Sequence, residues 1–205
     1  MKEVVLLNSG GLDSALLAKL LHGDGHTVHS LHLALGALND ASTLAAAQVT
    51  ADRYCVSHHV IDVGYGQTSN ALWDSAAGVL VMHDDATQEQ KDDPRFALSQ
   101  YPVLAMVTTA LGVGYATTLG VPVVYTGMSN ELTEVSLAAF DEVCRAVNWN
   151  LPKPVIEIPW VGLSYEQEAK SAGADLADFA YTHSCFHDPA CGTCGKCLLR
   201  SEAGL

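Results

Sequence analysis

The chain is short of positive charge: its 205 residues include 10 Lys+Arg against 23 Asp+Glu, a formal net charge of −13. A protein that tracks a nucleic-acid backbone gains affinity by releasing counterions through many cationic contacts, so the deficit argues against that task. The same deficit constrains any triphosphate site. Backbone N–H groups and a divalent cation must then supply much of the neutralisation. The sequence also lacks an apolar run of the roughly 18 residues that suggest a membrane span. Met1-Lys2-Glu3 followed by Val4-Val5-Leu6-Leu7 reads as a first strand rather than a leader, and the expected location is the cytoplasm. Two phosphate-binding patterns are missing too. There is no Gly-x-x-x-x-Gly-Lys-Ser/Thr, and no Gly-x-Gly-x-x-Gly follows the first apolar run, which removes the Walker-type loop and the dinucleotide fingerprint.

What is present is an alternation of short β-branched runs with helical stretches. Val4 to Asn8, Thr27 to Leu33, Val60 to Asp62, Val121 to Tyr125 and Val155 to Ile158 read as strands. Ser14 to His22, Asn39 to Cys55, Pro102 to Leu119 and Leu132 to Asn148 read as the helices between them. Strands joined by crossover helices imply a parallel sheet, and the expectation is one α/β doubly wound domain over residues 1–205. Gly64 to Gln100 is the least regular stretch and reads as a long excursion with some helix. From about Asp178 onward glycine, proline and cysteine dominate, so no further core helix is expected.

Ser9-Gly10-Gly11-Leu12-Asp13-Ser14 lies between the first strand and the first helix. Glycines permit positive φ and let the backbone approach an anion. Successive N–H groups then form a nest, and the helix N-terminus adds unpaired donors. Ser9 and Ser14 carry hydroxyl donors for phosphate oxygens. Asp13 disfavours bare phosphate, so it is expected to cap the helix or to hold Mg²⁺ and its waters.

Of the six cysteines, Cys55 and Cys144 stand alone and read as small apolar residues. Cys185-x5-Cys191-x2-Cys194-x2-Cys197 supplies four thiolates, the complement of a closed tetrahedral zinc site, although an iron–sulfur cluster takes the same ligand set. With no open position the metal would be structural, holding a tail with little apolar content. His183 and His187 flank the site and are expected to stay outside the ligand set.

The loop resembles the Ser-Gly-Gly-x-Asp-Ser signature of PP-loop ATP pyrophosphatases, which split ATP into AMP and pyrophosphate while activating a substrate oxygen as an adenylate. The resemblance implies that Leu31 to Leu35, with Leu33 among them, line the adenine pocket and that Thr126-Gly127 border the nucleotide from the other side. Together with Ser184-Cys185 and Cys191-Gly192-x-Cys194-x-x-Cys197-Leu198-Leu199-Arg200-Ser201, the loop is similar to the QueC family of 7-cyano-7-deazaguanine synthases over nearly the whole chain. That family adenylates the carboxylate of 7-carboxy-7-deazaguanine, captures ammonia as an amide, and after a second activation yields a nitrile. Implied with it are structural Zn²⁺, Mg²⁺ with ATP, and a homodimer.

The chain departs from that family's pattern in three places. Ser99-Gln100-Tyr101-Pro102 stands where Pro-Gly-Arg-Asn is usual, and Ala138-Ala139-Phe140-Asp141-Glu142 where Tyr-Pro-Asp-Cys-Arg is usual. Ser164-Tyr165-Glu166 replaces a common lysine near the start of the penultimate helix. Each change removes a cation or a shaped polar contact, and an apolar side chain cannot replace a bidentate Arg. Three uses follow: the nitrile-forming reaction; a related reaction, as in anti-phage operons, that joins the activated acid to an amine on a protein or other acceptor; or a non-catalytic zinc-stabilised nucleotide-binding module. Glu131, Asp141 and Glu142 are further carboxylates that would serve metal or substrate unless they are plain surface groups.

Overall fold

The computed structural model describes residues 2–35, 39–63, 73–74, 79–80, 101–128, 137–142, 145, 153–185 and 187–205. Strand β1 (Glu3–Leu7) leads into helix α1 (Leu12–Gly23). Next come β2 (Thr27–Ala34), α2 (Asp40–Tyr54), β3 (Ser57–Asp62), α3 (Tyr101–Leu119), β4 (Val123–Thr126) and β5 (Val155–Glu157). Helix α4 (Tyr165–Ser171), a 3₁₀ turn at Leu176–Phe179 and helix α5 (Gly195–Glu202) follow.

The five strands form one parallel sheet in the order β3-β2-β1-β4-β5. Its central strand shows why a continuous apolar run was needed. Val4 and Leu6 point into a cluster with Leu12, Leu16, Leu17 and Trp160, while Val5 and Leu7 join Leu31, Val113, Ala116 and Val124 on the opposite face. A parallel strand covered on both faces must be apolar at every position. Helices α1 and α4 cover the first face and α3 the second, with α2 packed beside α1. This is the doubly wound sandwich expected from the alternation.

Chain order reverses between β1 and β4, because β2 and β3 lie to one side of β1 and β4 and β5 to the other. In such sheets ligands bind in the crevice beyond the carboxyl ends of the strands where the order reverses. Here that point is flanked by the loop after β1 and by Thr126-Gly127 at the end of β4.

Boundaries differ from the sequence reading by a few residues. Helix α1 starts at Leu12 because Gly11, in extended conformation (φ −81°, ψ 168°), is its N-cap. Strand β3 begins at Ser57, drawn into the sheet by parallel pairing of His29 with Ser57. The tail does form a helix, α5, but it buries no side chain and so adds nothing to the core. Of the expected helix from Leu132 to Asn148, residues 137–142 and 145 are helical and the rest lies outside the described residues. The same holds for most of the Gly64 to Gln100 excursion, of which Trp73–Asp74 and Val79–Leu80 pair antiparallel.

Candidate nucleotide and metal sites

The loop closes on itself through its own side chains. Asn8 is buried, and its Oδ1 accepts from Gly10 N at 3.2 Å while its Nδ2 donates to Ser30 Oγ (3.0 Å) and the Ala47 carbonyl (2.9 Å). Gly11 N donates to Ser9 Oγ at 3.3 Å. Ser14 Oγ donates to the Gly11 carbonyl at 3.0 Å and lies 3.3 Å from Ser9 Oγ. The two hydroxyls expected to face phosphate thus also tie the loop into one shape. Only Gly10 of the glycine pair takes positive φ (+78°), and a Cβ there would stand 2.1 Å from the Thr43 carbonyl oxygen. Gly11 is extended. Of the two glycines that permit positive φ, Gly10 uses it, and Gly11 serves as N-cap.

Asp13 does not cap α1. The helix N-cap makes no side-chain hydrogen bond. Instead Lys196 Nζ lies 3.7 Å from Asp13 Oδ2, and Trp160 Nε1 donates to the Asp13 carbonyl at 3.0 Å. The other carboxylate oxygen, Oδ1, is buried, and a carboxylate here is the oxygen donor type that suits a divalent cation and its waters. Beside it stands Glu168 of α4, with no exposed surface and a side-chain hydrogen bond to Asp13. Burial and then the neighbouring Asp13 push the Glu168 carboxyl up to about 9, so it is a neutral acid at pH 7. Lys196 also sits 5.9 Å above the Tyr165 ring, the residue standing where the resemblance called for a lysine. A cation thus reaches the loop from the tail rather than from α4. The cleft lined by Asp13, Leu163, Tyr165, Glu166, Lys196 and Glu202 holds about 150 Å³. That is below the roughly 300–1,000 Å³ usual for ligand pockets, so it is no nucleotide pocket by itself.

Thr126 is buried at the end of β4, and Gly127 follows it against the loop. A Cβ on Gly127 would lie 2.9 Å from Asp13 C and Ser14 N. Only glycine permits that approach, which sets Thr126-Gly127 against the loop. Leu33 lies near the end of β2, half-buried and in register with Ile61. Below the loop runs a polar chain that sequence reasoning missed. His32 is buried and its Nδ1 donates to the Asn8 carbonyl at 2.9 Å, while His58 Nδ1 lies 2.9 Å from Ser30 Oγ. Burial lowers the pKa of both imidazoles. The only signal for this chain in the sequence was polar residues inside β2 where apolar ones would serve packing.

The tail gathers its sulfurs. All four Sγ atoms of Cys185, Cys191, Cys194 and Cys197 lie within 4.8 Å of one another, with separations of 3.6, 3.8 and 4.0 Å among the nearest. Four ligands at a Zn–S length of about 2.3 Å would stand roughly 3.8 Å apart, so the set fits a tetrahedral ion. Backbone N–H groups point at the sulfurs: His187 N and Cys191 N at Cys185 (3.3 and 3.4 Å), and Cys194 N at Cys191 (3.3 Å). The amides of Thr193 and Cys194 pull the Cys191 thiol down to about 5, whereas burial pushes Cys197 up to about 12. His183 Nε2 lies 2.9 Å from the His187 carbonyl.

The tail is tied to the loop as well. Leu12 N donates to Ser184 Oγ (3.3 Å), His183 N to the Gly10 carbonyl (3.0 Å), and Asn39 Nδ2 to the Cys185 carbonyl (2.8 Å). Ser184 therefore holds one of the helix N-terminal amides that an anion would use. Other expectations resolve simply. Cys55 is half-buried among apolar residues, and burial raises its thiol to about 12. Asp141 pairs with Lys153 and Glu142 with Arg145, which makes both surface carboxylates rather than part of the site. Cys144 and Glu131 lie outside the described residues.

A five-stranded parallel sheet with this loop at its switch point defines the PP-loop ATP pyrophosphatase class. Solved structures of that architecture superpose on the chain. A 4-thiouridine synthetase in complex with RNA and ATP does so with a TM-score of 0.54 at 14% identity, over 99% of this chain and 50% of that one. An NMN synthetase from Francisella tularensis gives 0.51 at 14% identity, over 90% and 66%. At these identities the likeness concerns the fold. The profile of the family described as "Queuosine biosynthesis protein QueC" matches residues 3–204, and the chain belongs to that family. Among its relatives are 7-cyano-7-deazaguanine synthases from Marinobacter nauticus, 28% identical over 98% of this chain and 91% of that one, and from Rickettsia bellii, 23% identical over 99% and 93%.

Proposed function

We propose that the chain is an ATP-dependent C–N ligase that makes 7-cyano-7-deazaguanine from 7-carboxy-7-deazaguanine and ammonia. One observation carries the reading: a phosphate loop at the switch point of a parallel sheet, closed by a four-cysteine tail, in a chain whose family match runs from end to end. The substrate carboxylate attacks the α-phosphorus of ATP and pyrophosphate leaves. Ammonia then displaces AMP to give the amide. A second ATP takes the amide oxygen, and its departure with AMP and the loss of the remaining N–H protons leave the nitrile. Residues 1–205 act as one catalytic unit in the cytoplasm.

In this reading the amides of Gly10, Gly11 and Leu12, held in the free loop by Asn8 Oδ1, Ser9 Oγ and Ser184 Oγ, turn to the triphosphate when it binds. Ser9 and Ser14 donate from their hydroxyls, and Asp13 would hold a magnesium ion through its waters. Leu33 and Thr126-Gly127 flank the nucleotide. Mg²⁺ neutralises charge that a chain with 10 Lys+Arg cannot neutralise alone. Zinc on Cys185, Cys191, Cys194 and Cys197 is structural, because four sulfurs leave no open position. The test is incubation of the purified chain with the acid, ATP, Mg²⁺ and ammonium. AMP, pyrophosphate and nitrile are expected, and Ser14→Ala should lose AMP formation while melting within a few degrees of wild type. Absence of acid-dependent AMP would overturn the assignment; accumulation of amide alone would show that the second activation has been lost.

A further inference from the structure

Glu168 has no explanation in packing. Helix α4 turns Tyr165, Glu168 and Ala169 inward, and Tyr165 and Ala169 join the apolar cluster under α1. An apolar residue at 168 would extend that cluster. The chain instead places there a carboxyl with no exposed surface whose side-chain hydrogen bond goes to Asp13. Taking a carboxyl out of water costs free energy even when one oxygen is paired. Such a cost persists where a site requires it.

The group it bonds is Asp13, the acidic residue of the phosphate loop, whose Oδ1 is likewise buried. Against the other oxygen of Asp13 stands Lys196 Nζ, at 3.7 Å. Lys196 lies in the first turn of α5 between two cysteines of the tail and is half-buried, its ammonium over Tyr165. Two elements remote in sequence, α4 and α5, thus converge on one carboxylate of α1.

We propose that Glu168 and Lys196 are positioning residues for Asp13: the carboxyl of one and the ammonium of the other fix the aspartate beside the phosphate loop and balance its charge for Mg·ATP. The inference rests on the reading of the loop as an ATP site. Glu168 limits the orientations open to Asp13 and keeps bulk water from it. Lys196 offsets its charge, so that a triphosphate does not meet a bare anion at the head of α1. The tail thereby contributes a residue to nucleotide binding in addition to its metal site.

The test compares Glu168→Leu, Glu168→Gln, Lys196→Met and Lys196→Arg in the metal-loaded full chain, by melting temperature, Mg·ATP affinity in calorimetry, and kcat and KM for ATP. Glu168→Leu should melt at or above the wild-type temperature yet lose at least tenfold in kcat or Mg·ATP affinity. Glu168→Gln, which keeps a donor toward Asp13, should recover most of that loss. Lys196→Met should weaken Mg·ATP about tenfold, with Lys196→Arg in between. Unchanged affinity and turnover in both Glu168→Leu and Lys196→Met would overturn the proposal, as would a Glu168→Leu whose lower melting temperature alone accounts for its lost activity. Should Glu168→Leu fail to fold, the Glu168→Gln and Lys196→Met pair decides by the same criterion. If the wild type binds Mg·ATP but forms no AMP with 7-carboxy-7-deazaguanine, the proposed reaction falls while the affinities still judge this inference. If it binds no Mg·ATP, both fall.

Discussion

The phosphate loop and the cysteine tail touch each other, yet they are held by opposite means. The loop sits on β1 and α1, where Val4, Val5, Leu6, Leu12 and Leu16 have no exposed surface, and its shape follows from the packing beneath it. The tail has no such foundation. Helix α5 buries nothing, and Leu198 and Leu199 are each about half exposed. What gathers it is four sulfurs, the Arg200 bond to Thr182 Oγ1 at 2.6 Å, and links from Asn39 and Ser184. One region is organised by exclusion of water over two faces of a sheet. The other suits a bound ion, which can organise a short polar segment that has no core.

The contrast is broken most severely at the sulfurs. Structural zinc contributes on the order of 10 kcal/mol to small domains of this kind. Cys194→Ala should therefore release the metal and expose residues 183–205 to proteolysis, while the sheet keeps its far-ultraviolet circular dichroism. A single unfolding transition, lost as a whole in the variant, would show that the two regions are not separately held. Next in size is Gly10→Ala. It forces positive φ on a residue with a Cβ and drives that atom against the Thr43 carbonyl, which cannot move without α2. A loss of at least about 2 kcal/mol in denaturant titration is expected, with metal content unchanged.

A smaller effect follows from the imidazoles under the loop. His32 is buried, and burial holds its folded-state pKa below the unfolded value of 6.5. The unfolded chain thus takes up the proton first as pH falls. The stabilisation is fully present above about 6.5 and is lost progressively below it. Wild-type melting temperature should drop between pH 6.5 and 5, and His32→Asn should flatten that drop; equal slopes would remove His32 from the account. The smallest effect lies at the start of α4, at the edge of the cleft between the two regions. Ser164 and Gln167 form a reciprocal capping box at the start of α4, and Ser164→Ala should cost about 1 kcal/mol without altering ATP turnover or metal content.

Much of this was legible before any coordinates. The continuous apolar run at Val4 to Leu7 required a strand covered on both faces, and alternation of strands with helices required a parallel sheet. Both hold because burial pattern is a local property of the chain. The spacing of Cys185, Cys191, Cys194 and Cys197 was enough to anticipate one cluster, since ligands separated by a few residues have little freedom to diverge. Of the two roles expected of Asp13, the helix cap is not formed. Capping is a local expectation, whereas its actual neighbours lie 147, 155 and 183 positions away, at Trp160, Glu168 and Lys196.

By itself, then, the amino-acid order determined the class of fold, the phosphate loop and the four-sulfur cluster, all of which are written in short-range pattern and spacing. Only the tertiary structure decided which side chains meet at the loop. Glu168 and Lys196 carry no motif, and polar residues like them usually belong to a solvated surface. Their meeting at Asp13 depends on how α4 and α5 dock against α1, a matter of long-range packing that no window of sequence encodes.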